Sequence, residues 1–548
     1  MCIRDRVLPL EAVAHRTSPT NIGLYLLSVA CAREFGWIGT QDLMERMDAT
    51  LATLARLQRH RGHFMNWYDT QTCAPLLPMY VSTVDSGNLT GHLLAVAQAC
   101  LELARAPNDT VAMRRAIAAS TRRLGGQAPA PGTYRPDGAI ARLLALSDPL
   151  SSCEQDAEGF GRLLAQALQA FAAAAPPDAA SAAQAAPTAA DEAAWLLGDH
   201  LQTLHSAWRD AQARLPQATA GPHAADRLRA LAGAFEALAW QADFGFLHDA
   251  RRHLFHIGYR VAEQQLDAGF YDLLASESRL TSLLAIARGD VPVRHWSSLG
   301  RLYLVSGPDV GLRSWSGSMF EYLMPGLILA EPRGSLLHEA GRAALHEQIR
   351  FARSLDVPWG ISESAYAGRD HTLAYQYAPQ GVPRLALRRT PPDELVVAPY
   401  ATALAAQIDA TSASANFAAL EQLGARARYG FSEALDFTPA RQTGAERFTV
   451  VGTFMAHHHG MSIVALANVL LGGPAQRWGM SNAPIEAVAS LLHERAPREV
   501  SMLFETPAAA PQPAPQRRDQ GRLLREVPPG AAAVEPTLVL SNGRYNVS

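Results

Sequence analysis

Apolar positions recur at helical spacing along most of the chain. Ile22, Tyr25, Leu26 and Val29, then Leu43, Met47, Leu51, Leu54 and Leu57, predict two helices near the start. An aromatic, polar loop follows at 62–70, and Asp85-Ser-Gly-Asn88 reads as the cap of a third helix. Helical patterning resumes at about 190–242, 247–266 and 269–288. It returns at 319–330, 335–354, 396–408, 412–424, 456–471 and 483–495. Strand-like alternation is confined to 293–317, around Arg301-Leu-Tyr-Leu-Val-Ser306. The connections 355–395 and 426–455 are long and carry too many aromatics to be disordered, which marks them as functional loops. Helix pairs with elaborate loops on one side predict an all-α chain, an α/α toroid with minor β content and loops lining one end.

Composition divides this pattern. Residues 1–123 read as the N-terminal helices, and 124–192 as an Ala/Pro-rich surface insertion with one or two helices of its own. Residues 193–505 complete the helical body, and 506–535 form a stiff Pro/Ala-rich linker. The tail at 536–548 turns strand-like at Pro536-Thr-Leu-Val-Leu-Ser-Asn-Gly-Arg-Tyr545, which predicts the truncated start of a further domain.

Charge narrows the function. All 48 basic residues are arginine, so Schiff-base and P-loop lysine chemistry is excluded. A net charge of −3 leaves no global basic field to hold nucleic acid. Five scattered cysteines without a C-x-x-C pair argue against a disulfide scaffold or zinc ribbon and fit a reducing compartment. The apolar run Ser462–Leu471 is too short to span a bilayer, so no direct membrane insertion by this chain is expected.

Two carboxylates stand out. If 270–284 is one helix, Phe270, Leu273, Leu274, Leu280 and Leu284 form an apolar stripe with Glu277 inside it. Burial there would raise its pKa, as a general acid requires, whereas Arg279 would point elsewhere. Glu363 sits in the loop Val357-Pro-Trp-Gly-Ile-Ser-Glu-Ser-Ala-Tyr366, beside Trp359 and Tyr366, whose rings suit a sugar face. Ser318-x-x-Glu321 is a capping box, which makes Glu321 structural first and a substrate contact second, with Trp315 and Tyr322 as stacking candidates. His457-His458-His459 cannot all face one ion from a helix, so no metal is expected; one or two of them suit hydrogen bonding to substrate. Asn66, Trp67, Tyr68 and Asp85 add polar and aromatic groups from the N-terminal loops, with helix capping as the competing role of Asp85.

Several of these runs together resemble one family. They are Arg16-Thr-Ser-Pro-Thr-Asn-Ile-Gly-Leu-Tyr25, Asn66-Trp-Tyr-Asp-Thr70, Asp85-Ser-Gly-Asn-Leu89, Tyr271-Asp-Leu-Leu-Ala-Ser-Glu277, Ser314-Trp-Ser-Gly-Ser-Met-Phe-Glu-Tyr-Leu-Met324, Trp359-Gly-Ile-Ser-Glu363 and Met455-Ala-His-His458. In this order they resemble the glycoamylase-like central domain of bacterial cyclic β-1,2-glucan synthases, over about 10–500. The resemblance implies an (α/α)6 barrel and an anomer-retaining transglycosylase that cleaves linear β-1,2-glucan and closes it into a ring, without a cofactor. It implies Glu277 as acid/base and Glu363 as nucleophile, with the acid's proton able to pass through a substrate hydroxyl. It further implies substrate contacts from Asn66, Trp67, Tyr68, Asp85, Tyr271, Asp272, Arg279, Trp315, Ser316, Glu321, Tyr322, Trp359, Tyr366, Tyr377, His457 and His458. The neighbours expected in a full-length protein are a membrane glycosyltransferase and a phosphorylase-like domain, at the cytoplasmic side of a bacterial inner membrane. An endo-β-1,2-glucanase, or a glucan-holding module without catalysis, are the alternatives.

Overall fold

The computed structural model describes residues 3–7, 10–106, 110–126, 144–150, 157–172, 189–213, 223–497, 540–541 and 546–547, with short breaks at 307–308, 370–374, 389–390, 392, 428 and 443–445. Two compact units are distinguished, Met1–Arg498 and Glu499–Ser548. In the second, Leu540–Ser541 pairs antiparallel with Asn546–Val547; the expected linker at 506–535 lies outside the described residues.

The first unit is mostly helical. Its central helices are buried on nearly every side: Pro19–Phe35, Thr83–Arg105, Arg279–Arg288, Pro399–Ala405 and, on most of its surface, Ala456–Leu470. Pro19–Phe35 packs against both Thr83–Arg105 and Ala456–Leu470, and Thr83–Arg105 against Arg279–Arg288. Close approach needs small residues: a Cβ on Gly87 would meet Thr281 Oγ1 at 1.8 Å, and one on Gly460 would meet Leu24 Cβ at 2.9 Å. More amphipathic helices cover this layer, among them Thr40–Leu54, Ala224–Ala239 and Leu336–Ser354. Pro19–Phe35 begins at Ser18, whose hydroxyl accepts from Asn21 N, and stops at Gly36 in the left-handed region with φ 79°.

The third helix starts earlier than its polar cluster suggests. Ser82 is its cap, accepting from Asp85 N, which leaves the Asp85 carboxylate free for other partners. Helices Val111–Gly126, Ala157–Ala172 and Ala189–Gln212 gather a separate small core of Met113, Ile117, Phe160, Leu164, Leu204 and Ala207.

Strands are short and antiparallel, and among the described residues no sheet closes on itself. Here two helical expectations fail. Residues 247–266 form strands instead: Leu254–His256 pairs with His248–Asp249 and Phe270–Tyr271, while Gly258–Arg260 pairs with Tyr80–Ser82 and Gln265–Leu266. Positive φ at His253 and Gln264 makes the tight turns that such short pairings need. Only Arg279–Arg288 of 269–288 is helical. Leu274 N donates to Gly300 O and Gly300 N to Asp272 O, so 272–274 is held against Gly300, the chain bends through 274–276, and the helix starts only at Arg279. The strand-like signal at 293–317 is a hairpin, Tyr303–Ser306 with Asp309–Leu312, lying on helix Leu336–Ser354. Among the described residues, no helix is long and apolar enough to cross a membrane.

Candidate active site

Glu277 lies in the turn between strand Phe270–Tyr271 and helix Arg279–Arg288, half-buried, with the Ser276 hydroxyl donating to its Oε2 at 3.3 Å. Arg279 fixes this turn. Its guanidinium donates to Ser276 O, Glu321 O and Tyr322 O and pairs with Glu331 at 2.8 Å. Being 1% exposed, Arg279 is not the substrate contact the motif implied; it ties the Glu277 turn to helix Met319–Leu323.

That short helix carries the capping box as read from sequence. The Glu321 carboxylate accepts from Ser314 Oγ, Ser316 N and Oγ, and Ser318 N and Oγ. Glu321 is thus a satisfied, immobile negative charge, and Ser316 is occupied with holding it. Glu277 feels that charge. Burial first, then Glu321 and Glu363, push its pKa up to about 8.

Glu363 stands immediately before strand Ser364–Arg369 and is half-buried. The buried amide of Gln348 pins the preceding loop by accepting from Ile361 N and donating to Ile361 O. Asn416 does the same for Trp359, accepting from its N and donating to its O. Ser362 Oγ accepts from Phe320 N, which links the loop to the Glu321 helix. The Tyr377 hydroxyl donates to Glu363 Oε1 at 2.8 Å, and the Tyr400 hydroxyl to Glu363 O at 2.8 Å. Burial raises the Glu363 pKa to about 7; the Tyr377 hydrogen bond opposes that rise, and the charges of Glu321, Asp85 and Glu433 add to it. Among the described residues, no arginine pairs with Glu277 or Glu363.

Other expected residues converge on this pair. Tyr271 feels the charges of Glu277, Asp85 and Glu363. Asp85 accepts from Thr20 Oγ1 at 2.5 Å and, with the Asn66 amide turned to satisfy its neighbours, from Asn66 at 2.8 Å; Asn66 in turn accepts from Trp67 Nε1. Trp315 is 46% exposed, and its indole donates to Asp272 at 3.0 Å, an open aromatic surface of the kind a sugar stacks on. His457 faces Asn21 Oδ1 through Nδ1.

Several do not reach it by their side chains. Tyr68 is buried, its hydroxyl accepting from Met65 N and donating to Gln58 O. Tyr322 is buried and donates to Leu312 O. The Trp359 ring belongs to the main core, and Tyr366 packs on a small cluster with the Arg441 guanidinium over its ring. His458 is buried too: its ring stacks on Tyr400 at 3.7 Å and its Nδ1 faces Glu433 at 2.8 Å. Glu433 and Tyr400 went unnoticed in the sequence, although Ser432-Glu433 repeats the Ser-Glu pairing of Ser276-Glu277 and Ser362-Glu363. An apolar hollow of about 390 Å³, lined by Tyr25, Val29, Ile38, Phe454 and Ile463 among others, has no carboxylate in its wall and plays no part here.

Two carboxyl groups of raised proton affinity, each in a segment tied to helix Met319–Leu323, can protonate one atom and attack another. The Glycoamylase family model matches residues 269–481. The chain is 41% identical over 574 residues, 98% of its own length, to the cyclic β-(1,2)-glucan synthase NdvB of Rhizobium meliloti (strain 1021), of which it spans 19%. In fold it is similar to an endo-β-1,2-glucanase from Chitinophaga pinensis solved with sophorotriose and glucose, with TM-score 0.53 and 12% identity over 87% of this chain and 88% of that one. An endo-β-1,2-glucanase from Talaromyces funiculosus solved with β-1,2-glucan gives TM-score 0.51 and 10% identity over 88% and 81%. The stretch matched by the Glycoamylase family model is the one that carries Glu277, Glu363 and Glu433.

Proposed function

We propose that this chain is an anomer-retaining transglycosylase that cleaves linear β-1,2-glucan and cyclises it, as the central domain of a larger synthase. Glu363 attacks the anomeric carbon while Glu277 gives its proton to the leaving glycosidic oxygen, directly or through a substrate hydroxyl. The glycosyl–Glu363 ester forms and the reducing-end piece departs. Glu277, now ionised, takes the proton from the 2-hydroxyl at the chain's own non-reducing end, and that oxygen displaces Glu363 to close the ring. The helices would form an (α/α)6 toroid around the glucan, with a membrane glycosyltransferase and a phosphorylase-like domain as covalent neighbours at the inner membrane's cytoplasmic side.

The observation that carries this reading is the electrostatic linkage of Glu277 to Glu363, whose charge helps to hold the proton on Glu277. The likeness in fold to two endo-β-1,2-glucanases favours a second reading, hydrolysis, in which water replaces the sugar hydroxyl. Incubation of the protein with linear β-1,2-glucan followed by mass spectrometry separates them. Cyclisation yields products one water lighter than linear oligomers; hydrolysis yields only shorter linear chains. Unchanged glucan refutes both and leaves a holding module.

A further inference from the structure

Behind Glu363 runs a line of polar groups that the double displacement does not use. Glu433 is 4% exposed and His458 2%. His458 Nδ1 stands 2.8 and 3.0 Å from the two Glu433 carboxyl oxygens. Ala365 N donates to Glu433 Oε1, and the stack on Tyr400, 8° from parallel, holds the imidazole from turning. On its other side, His458 Nε2 lies 3.4 Å from the Tyr377 hydroxyl, which donates to Glu363 Oε1. The line therefore runs from the buried Glu433 carboxyl to that of Glu363.

A neutral imidazole in that line has two arrangements. With the proton on Glu433, the carboxyl donates to Nδ1, Nε2–H points at the Tyr377 oxygen, and Tyr377 donates to an ionised Glu363. In the other, the Glu433 proton has passed to Nδ1, the Nε2 proton to the Tyr377 oxygen and the Tyr377 proton to Glu363. Glu433 is then ionised, Glu363 is neutral, and Tyr377 donates to bare Nε2. Three protons each move one place, and no charged imidazole or tyrosinate remains.

We propose that Glu433, His458 and Tyr377 are positioning residues that let Glu433 and Glu363 share one proton, with Glu433 holding it so that Glu363 is ionised for attack. The proposal rests on the reading of Glu363 as the attacking carboxylate and deepens it. Burial, partly offset by His457 and His459, raises Glu433 to about 7, and burial keeps His458 neutral, both as the relay requires. The charged and titratable groups facing the line are Glu277, Tyr271, Glu321 and Asp85 toward Glu363, His457 and His459 toward Glu433, and Tyr400 beside His458. His457 Nε2 also stands 3.5 Å from the Tyr377 hydroxyl.

The test is the pH profile of kcat/KM on linear β-1,2-glucan. In Glu433→Gln the amide N–H replaces the acid proton on Nδ1 without a change of charge, so the arrangement with Glu363 ionised is kept and the acid limb should stay where it is, with KM unchanged. An ionised Glu433 acting only through its field would instead let the limb fall once its charge is removed, and that result overturns the proposal. His458→Phe keeps the stack on Tyr400 but removes the Nε2 donor to Tyr377, and its acid limb should rise by about one pH unit, roughly tenfold in rate below it. A limb that does not rise in His458→Phe overturns the proposal as well, and decides it alone should Glu433→Gln fail to fold. Glu363→Gln run in parallel keeps the two readings apart: undiminished turnover in that variant refutes the assignment of Glu363 itself.

Discussion

Tyr377 and Glu363 meet at 2.8 Å, phenol donor to carboxylate oxygen, where Glu363 stands just before strand Ser364–Arg369 and Tyr377 lies on the strand Tyr375–Ala378 paired with it. This bond favours the ionised carboxylate against burial and against the charges of Glu321, Asp85 and Glu433. It gives Tyr377 a role in tuning the proposed nucleophile, although 39% of the residue remains exposed.

Removal of that hydroxyl should raise the Glu363 pKa. Tyr377→Phe is expected to shift the acid limb of kcat/KM to higher pH and to lower the rate at pH 6 about 10–100-fold, as loss of one charge-assisted hydrogen bond implies. Melting temperature should change little, since the ring is retained. An unchanged pH profile would show that the bond has no bearing on the reacting carboxylate.

The roles of the two carboxyl groups are separable by azide. With a β-linked substrate bearing an activated aryl leaving group, Glu363→Gly should return the α-glycosyl azide, because azide takes the nucleophile's place. Glu277→Gly should return the β-glycosyl azide, formed by attack on the intact glycosyl-enzyme. Without azide each variant should lose about 10²–10⁴-fold in turnover on glucan, with oligosaccharide binding retained by calorimetry. The opposite pairing of anomers would exchange the two assignments.

Arg279 tests the framework rather than the chemistry. Its guanidinium reaches three carbonyl oxygens and the Glu331 carboxylate from a site with 1% exposure. Arg279→Ala should cost about 3–5 kcal/mol, the usual result of stranding one member of a buried pair. Arg279→Lys keeps the charge but loses the fork, and should be intermediate. Denaturant midpoints measure both. A loss of glucan binding by Arg279→Lys with an unmoved midpoint would return Arg279 to the substrate.

The carboxyl groups proposed to react were more legible in the sequence than the elements that carry them. Glu277 is half-buried and not on a helical stripe: Leu273 and Leu274 belong to the segment tied to Gly300, Leu280 and Leu284 to the helix after it. A periodicity assembled from two elements looks like one helix until the long-range partner is known. The helix pairs and the capping box at Glu321 were visible because their signals are local. Arg279 and Tyr68 have polar groups that suit a sugar, but their partners lie on the backbone of distant or differently folded segments, which no spacing reveals. Glu433 looked like any loop glutamate, since only strand pairing of Ala434–Asp436 with Val396–Val397 and Thr449–Val451 encloses it.

The same electrostatics that suit Glu277 to acid chemistry should weaken the fold in alkali. Its pKa stands near 4.5 in the unfolded chain and about 8 in the folded one. Between those values the folded state binds more protons, so stability is greatest below pH 4.5 for this group and falls as pH rises through 8. Glu363 and Glu433, each raised to about 7, act in the same direction. Glu277→Gln fills the same space without a charge to desolvate. Its melting temperature should match that of the unaltered protein near pH 5 and exceed it near pH 8.5, by about 2–4 °C for each kcal/mol relieved. Some slope must remain in the variant, because two raised carboxyl groups are left. Parallel melting curves across that range would mean that Glu277 is ionised at no cost in the folded protein, and an acid held protonated at neutral pH could then not be the proton donor.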